Sequence, residues 1–376
     1  MSRPSAEVTA GSGGTGGWRE EYLSRVVSGT RARARLTVLG SLNMDISVTV
    51  PRLPAPGATV LGGASAFAPG GKGANQAVAA ARLGAAVRMV GCVGDDDFGR
   101  ALRAALRADG VDDDGVRAVS GVPTGLAMIT VDEAGENIIT VAPGANREVG
   151  ATEIAAVREA AADVLVISAE VPVAAISAAL AGTAGGVRTA ASAEAAGTAG
   201  TAGNQPLRLL NLAPAPAEAA GLVAAGVDWL VVNESEAAAM LGRPVAGLAD
   251  AAEAAAALVR AGARNAVVTA GAAGAAYCGP RDGTRDSPGG GTPDAPDGVA
   301  TVPGFPVRAV DTVGAGDAFV GALAVALAAG VAPLDAVVAA AAAGAAAATR
   351  PGTQSGMPRP SDVFAATGHA WPIPAP

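Results

Sequence analysis

An aspartate at position 317 follows a Gly-Ala-Gly turn in the run DTVGAGDAFVGAL, 311–323, and opens an apolar helical stretch. Gly314, Ala315 and Gly316 let backbone N–H groups converge at the start of that helix, an arrangement that binds anions. An acid in the first helical turn, beside such a pocket, is placed to take a proton from a hydroxyl attacking a phosphoryl group. An aspartate there can equally be a helix cap, so the chemistry needs support from elsewhere in the chain.

Four further runs offer it. PGGKGANQ at 69–76 combines Gly70, Gly71 and Gly73, which permit close backbone approach, with Lys72 and Asn75 at a predicted helix start. It is not a Walker A loop, because Ala66 stands where the first glycine should be and no Ser or Thr follows the lysine. An ordinary glycine turn capped by Asn75 is the competing reading. GSLNMD at 40–45 places Asn43 and Asp45 two residues apart, so both face one way if the backbone is extended, as suits vicinal hydroxyls. Glu170 ends an apolar strand-like run, where a parallel sheet gathers ligands. In NESE, 233–236, Asn233 and Glu236 fall together at a helix start, suited to ordering metal-bound water near phosphates or simply to capping.

The rest of the chain must position these groups. Apolar strand-like runs at 35–40, 87–94, 163–170, 207–213, 228–234 and 265–271 alternate with helical ones at 73–83, 98–109, 152–162, 173–182 and 249–261. This is a parallel α/β pattern with helices on both faces of one sheet. A further strand is expected at 306–310, ahead of the Gly-Ala-Gly turn, and helices over 318–331 and 336–348. Short alternating segments at 46–50, 125–131 and 137–141 could form a small separate sheet. Residues 1–34 read as a flexible extension, and 183–206 and 280–298 as solvated loops. GSGGTG at 11–16 matches a dinucleotide fingerprint formally, but no strand precedes it and no helix follows.

Composition removes several classes. A formal charge of −8 and 3% aromatic residues argue against nucleic-acid binding. Two cysteines, Cys92 and Cys278, without metal spacing, support neither a disulfide framework nor zinc, and fit a reducing cytoplasm. The sole histidine, His369, lies in a Pro-rich tail, which disfavours a Ser-His-Asp site and leaves carboxylates as general bases. Pro333 and Asp335 divide the apolar C-terminal stretch, so no membrane span is expected, nor is a secretory signal.

The order and spacing of GSLNMD, PGGKGANQAVAAARLGA, VGDDDFG, PGAN (143–146), NLAPAPAE (211–218), NESEA, TAGAAG (269–274) and DTVGAGDAF resemble the PfkB carbohydrate kinases over about residues 35–366. GGKGANQA points to the ribose-phosphorylating branch. The resemblance implies a ribokinase-like three-layer α/β sandwich, with a mostly parallel central sheet and a small β-sheet lid at about 46–68 and 124–142, followed by a tail, 367–376. It further implies that ATP phosphorylates the 5-hydroxyl of D-ribose with Asp317 as base. Asn43, Asp45, Gly71, Lys72, Gly73, Asn75 and Glu170 match the family's sugar site. Asn233, Thr269, Gly271, Gly274 and Gly316 match its nucleotide site. Gly314, Ala315 and Gly316 would form the anion hole, and Glu236 would help position Mg²⁺ through water.

A monovalent-cation (K⁺) site is implied at Asp311 and at the carbonyls of Val313, Ala347, Arg350 and Gly352. There the chain departs from the family: TQSGMP puts Gly356 where a serine hydroxyl is common, with Ser355 displaced by one residue. Homodimers through the lid are also implied. Alternatives are a sibling kinase for deoxyribose, another sugar or a nucleoside, and a sugar-binding regulator with the kinase fold. A nucleoside base would need an aromatic slot, for which the chain has only five Phe, two Tyr and three Trp.

Overall fold

The computed structural model describes residues 33–134, 136–182, 205–280 and 298–373. The N-terminal extension with its 11–16 glycine run, and nearly all of the tracts 183–206 and 280–298, lie outside the described residues.

Alternating side chains decide the architecture. In β1 (Arg35–Leu39), Leu36 and Val38 enter one buried cluster while Leu39 enters another. The same division recurs in β8 (Val164–Ser168) and β10 (Trp229–Asn233). A strand buried on both faces requires helices above and below it. The nine-stranded sheet runs β13-β12-β11-β10-β9-β8-β1-β4-β5. Its other members are β4 (Ala86–Gly94), β5 (Asp112–Val119), β9 (Leu207–Asn211), β11 (Ala266–Thr269), β12 (Gly274–Cys278) and β13 (Val299–Pro303). Every neighbouring pair is parallel except β11–β12 and β12–β13.

One layer contains α1 (Lys72–Arg82), α2 (Asp97–Ala108), α8 (Ala315–Ala328), α9 (Pro333–Ala348), the short α10 (Thr353–Gly356) and α11 (Pro360–Thr367). The other contains α3 (Ala151–Glu159), α4 (Val173–Gly182), α5 (Ala219–Ala224), α6 (Glu234–Leu241) and α7 (Gly247–Arg260). Helices α1 and α8 touch at Gly321, where a Cβ would lie 2.8 Å from both Ala79 Cβ and the Gln76 carbonyl oxygen. Only glycine admits that approach. Beyond α11 the chain stays on the body, with Trp371 Nε1 donating to Leu83 O at 3.1 Å. Among the described residues no helix is long and apolar enough to cross a membrane.

The small sheet forms as β3-β2-β6-β7, from β2 (Asn43–Val50), β3 (Ser65–Gly70), β6 (Gly125–Asp132) and β7 (Asn137–Ala142). Its β2–β6 pair is parallel and its outer pairs are antiparallel.

One expected strand is missing. Residues 306–310 are irregular, because Pro306 has no N–H and the N–H groups of Val310 and Asp311 both donate to Ala348 O, at 2.8 and 3.2 Å. The segment is tied to the end of α9 rather than to a sheet edge.

Candidate active site

Strand order reverses at β1, whose neighbours β4 and β8 carry the chain away in opposite directions. Such a switch point opens a crevice at the carboxyl ends of the strands. Ser41 leaves β1 there and Glu170 leaves β8, and Ser41 Oγ donates to Glu170 Oε2 at 2.5 Å. The Lys72 backbone N–H donates to the same oxygen at 3.3 Å. Gly71 makes that turn possible: its φ is 88°, and a Cβ would lie 2.7 Å from Asn43 N. Gly73 N–H also points at Ser41 Oγ, 3.4 Å away. Ser41 carries no chemical signal of its own in the sequence, so its role as the partner of Glu170 emerges only from the fold.

Asn43 and Asp45 open β2 and share one face of the lid sheet, as their spacing predicts. Asn43 is buried, with Oδ1 accepting from Asn146 Nδ2 at 2.8 Å, while Asn146 also brackets the Leu42 peptide at 2.9 and 3.1 Å. Burial, reinforced by the negative charges of Glu170 and Asp317, raises the Asp45 carboxyl to about 7, with Lys72 opposing. The Lys72 ammonium is held above its ordinary value chiefly by Asp317, against a desolvation cost, with Glu170, Glu236 and Asp45 adding to the effect. One lysine therefore feels four carboxylates, from β2, the bend after β8, α6 and α8.

Asp317, buried at 7% exposure, occupies the third position of α8, yet its carboxylate does not cap that helix. Oδ2 accepts from Asn75 Nδ2 at 2.9 Å and Oδ1 from Gln76 Nε2 at 3.0 Å. Gln76 Nε2 also donates to Asn211 Oδ1 at 2.9 Å, and Asn211 Nδ2 to Val231 O at 3.1 Å. Asn75 is likewise no cap, since its Oδ1 accepts from Gln354 Nε2 at 3.2 Å. Gln76, Asn211, Gln354 and Ser41 are thus additions to the expected residues. Gly314 caps α8 in a left-handed conformation, and Ala315 N–H closes a turn onto Thr312 O at 3.2 Å. The N–H groups of Gly314 and Gly316 have no partner among the described residues.

Asn233 and Thr269 are paired at the ends of β10 and β11. Asn233 Oδ1 accepts from Glu236 N–H at 2.9 Å while Glu236 Oε2 accepts from Asn233 N–H at 2.8 Å, a reciprocal cap of α6. Burial nevertheless raises the Glu236 carboxyl, against the Asn233 N–H bond and the Lys72 charge, with the negative charge of Asp317 adding to the rise. Capping thus holds it within electrostatic reach of Asp317. Gly271 and Gly274 bound the short turn between β11 and β12, which is open at Gly271 and closed against Val302 O at Gly274.

Asp311 organises the expected cation residues: Oδ1 accepts from Val313 N–H at 3.0 Å and Oδ2 from Gly352 N–H at 2.9 Å. A Cβ on Gly356 would lie 3.3, 3.6 and 3.7 Å from the carbonyl oxygens of Arg350, Pro351 and Ala347. One carboxylate near a cluster of carbonyls is a hard, weakly charged donor set that fits a monovalent cation. Ser355 Oγ donates to Pro351 O at 3.0 Å.

A doubly wound sheet, a small lid sheet and an aspartate at an open helix N-terminus together define a sugar-kinase class of site. The chain belongs to the pfkB family of carbohydrate kinases, whose family description matches residues 33–360. It is 32% identical over 341 residues to a ribokinase of Haemophilus influenzae, covering 90% of this chain and all of that one. A deoxyribokinase of Salmonella typhi is 32% identical over 292 residues, covering 77% of this chain and 84% of that protein. Ribokinase from Arabidopsis thaliana, solved with ribose and ATP, superposes with a TM-score of 0.70 at 27% identity, covering 89% of this chain and 98% of that one.

Proposed function

We propose that this protein transfers the γ-phosphoryl group of ATP to the 5-hydroxyl of D-ribose. The observation that carries this reading is the Asp317 carboxylate, held by two amide donors beside the Lys72 ammonium and the open start of α8. Asn43, Asp45 and Glu170, with the peptides of Gly71 to Gly73, would hold the sugar hydroxyls between lid and crevice. Asp317 would accept the proton of the attacking hydroxyl as the phosphorus–oxygen bond forms. Lys72 and the N–H groups of Gly314 and Gly316 would compensate charge on the transferring group.

The β10 and β11 ends, with Asn233, Thr269, Gly271 and Gly274, would receive the nucleotide. Mg²⁺ would supply charge neutralisation at the phosphates, with Glu236 as the carboxylate within reach. The Asp311 cluster would hold K⁺ close to α8 and steady its first turn.

Residues 35–366 would act as one kinase unit with the lid, in the cytoplasm, where the buried free thiols of Cys92 and Cys278 stay reduced. Phe67, Met128 and Ile138 leave apolar surface exposed on the lid, which supports a homodimer there. Deoxyribose is the second reading, favoured by the deoxyribokinase relative.

Purified protein incubated with ATP, Mg²⁺ and a panel of D-ribose, deoxyribose, other pentoses and nucleosides, with and without K⁺, tests the assignment. Fastest transfer to D-ribose is expected. Faster transfer to deoxyribose or a nucleoside would replace it with a sibling specificity, and sugar binding without transfer to any acceptor would indicate a regulator.

A further inference from the structure

Gln354 lies on α10, outside the crevice, yet it is 6% exposed and tied to α1 at two points. Its side-chain Nε2 donates to Asn75 Oδ1 at 3.2 Å, and its main-chain oxygen accepts from Arg82 Nη1 at 2.6 Å. Arg82 Nη1 also reaches Met357 O at 3.0 Å, while Asp109 fixes the remaining guanidinium edge at 2.6 and 3.0 Å. Asn75 and Arg82 are seven residues apart, two helical turns, and so lie on one face of α1. Gln354 is thereby clamped along that face by both its backbone and its side chain.

The direction of the hydrogen bonds matters. A primary amide has one accepting oxygen and one donating nitrogen, and a buried asparagine can present either end to a neighbour. Asp317 can only accept, so it takes Asn75 Nδ2, and Gln354 Nε2, donating to the Oδ1 left over, pins the other end of the same amide. With Asn75 reversed, an amide oxygen would face a carboxylate oxygen in a buried site, an unfavourable contact that displaces the carboxylate. We infer that Gln354 is a positioning residue for phosphoryl transfer, acting through Asn75 to orient the Asp317 carboxylate. Its side-chain nitrogen and main-chain oxygen are both taken up by α1, so its influence passes through Asn75. The same short helix lies between Gly352 and Gly356, so the segment carrying the cation carbonyls also sets the amide facing Asp317.

This inference rests on Asp317 being the base, and the experiment separates the two claims. Steady-state kinetics with D-ribose and ATP are measured for Gln354→Met, Asn75→Ala, the double variant and Asp317→Asn, with thermal unfolding to confirm that each is folded. Losing the bond that pins the Asn75 amide against the charged carboxylate predicts about a tenfold fall in kcat for Gln354→Met, with both KM values within about twofold of wild type. In the Asn75→Ala background the same substitution should change kcat by less than about twofold, because the intermediary is gone. An equal loss in both backgrounds, or a rise in KM with kcat intact, overturns the relay. Near-wild-type turnover by Asp317→Asn overturns the base assignment itself. If Gln354→Met does not fold, Gln354→Glu serves: it keeps the size, and its ionised side chain can only accept, so it favours the reversed Asn75 orientation and should lower kcat. Unchanged kcat in that folded variant also overturns the relay.

Discussion

Asn75 Nδ2 donates to Asp317 Oδ2 at 2.9 Å, joining residues 242 positions apart. With Gln76 holding Oδ1, both carboxylate oxygens accept hydrogen bonds from adjacent amides on α1, and Asp317 is aimed by a neighbouring helix rather than by its own. A helix cap would leave the carboxylate over backbone N–H groups. Here the N–H groups of Gly314 and Gly316 remain available to an anion.

Replacing Asp317 by Asn should lower kcat by about 10²–10⁴-fold, the usual contribution of a positioned general base, while sugar affinity measured by calorimetry changes little. Turnover close to wild type would remove Asp317 from the chemistry.

Asp45 makes stability depend on pH in an unusual direction. Its carboxyl titrates at about 7 in the fold against 3.8 for the ordinary side chain. Between those values the folded protein keeps a proton that the unfolded chain releases, so stability falls as pH rises from about 4 to about 7 and levels above that. Asp45→Asn should flatten this part of the thermal-unfolding profile and raise Tm at pH 8. If the ionised form receives sugar hydroxyls, ribose affinity of the unmodified protein should weaken as pH drops below about 7.

Gly356→Ser would place a hydroxyl among the carbonyls of Arg350, Pro351 and Ala347, with the 3.3 Å contact to Arg350 O as the only tight one. An added oxygen ligand should lower the KCl concentration for half-maximal activity by about threefold or more. A KCl titration of both proteins checks this, and an unchanged midpoint would mean that the added oxygen does not reach the cation.

Gly71→Ala should destabilise the fold by about 1–3 kcal/mol, since alanine must adopt a positive φ. The 2.7 Å clash with Asn43 N adds to that cost. Denaturant unfolding gives the stability change. Sugar KM should rise as well, because the Lys72 peptide loses its place beside Glu170.

Much of this was legible in the sequence. Doubly buried strands such as 164–168 show as unbroken apolar runs, and the glycine-rich runs before Asn75 and Asp317 announce helix starts. β5, DDDGVRAV, was not legible, because its acidic, glycine-containing sequence reads as a turn and only pairing with β4 makes it a strand. β3, SAFAPG, falls largely within the lid expected over 46–68, but its proline and glycine hide it as a strand. At 306–310 the apolar alternation suggested a strand that Pro306 and the pull of Ala348 O prevent. Site residues of unusual type or glycine context stood out, whereas Ser41, Gln76, Asn211 and Gln354 are ordinary polar residues. What distinguishes them is their partners, which only the folded chain supplies. Asn75 stands out as a candidate sugar residue, but the two partners of its amide, Asp317 and Gln354, are visible only in the folded chain.

The contact between Gly321 and Ala79 gives the abundant small residues a further meaning. Gly321 lies one turn after Asp317, and Ala79 one turn after Asn75, so the thickness of side chain at this crossing is a ruler for the distance between base and amides. One methyl group there would separate the helices by as much as divides a made hydrogen bond from a broken one. Such a change could slow the reaction from a position that never meets sugar or nucleotide. The monotony of the alanine- and glycine-rich helices is, in mechanical terms, a tolerance specification.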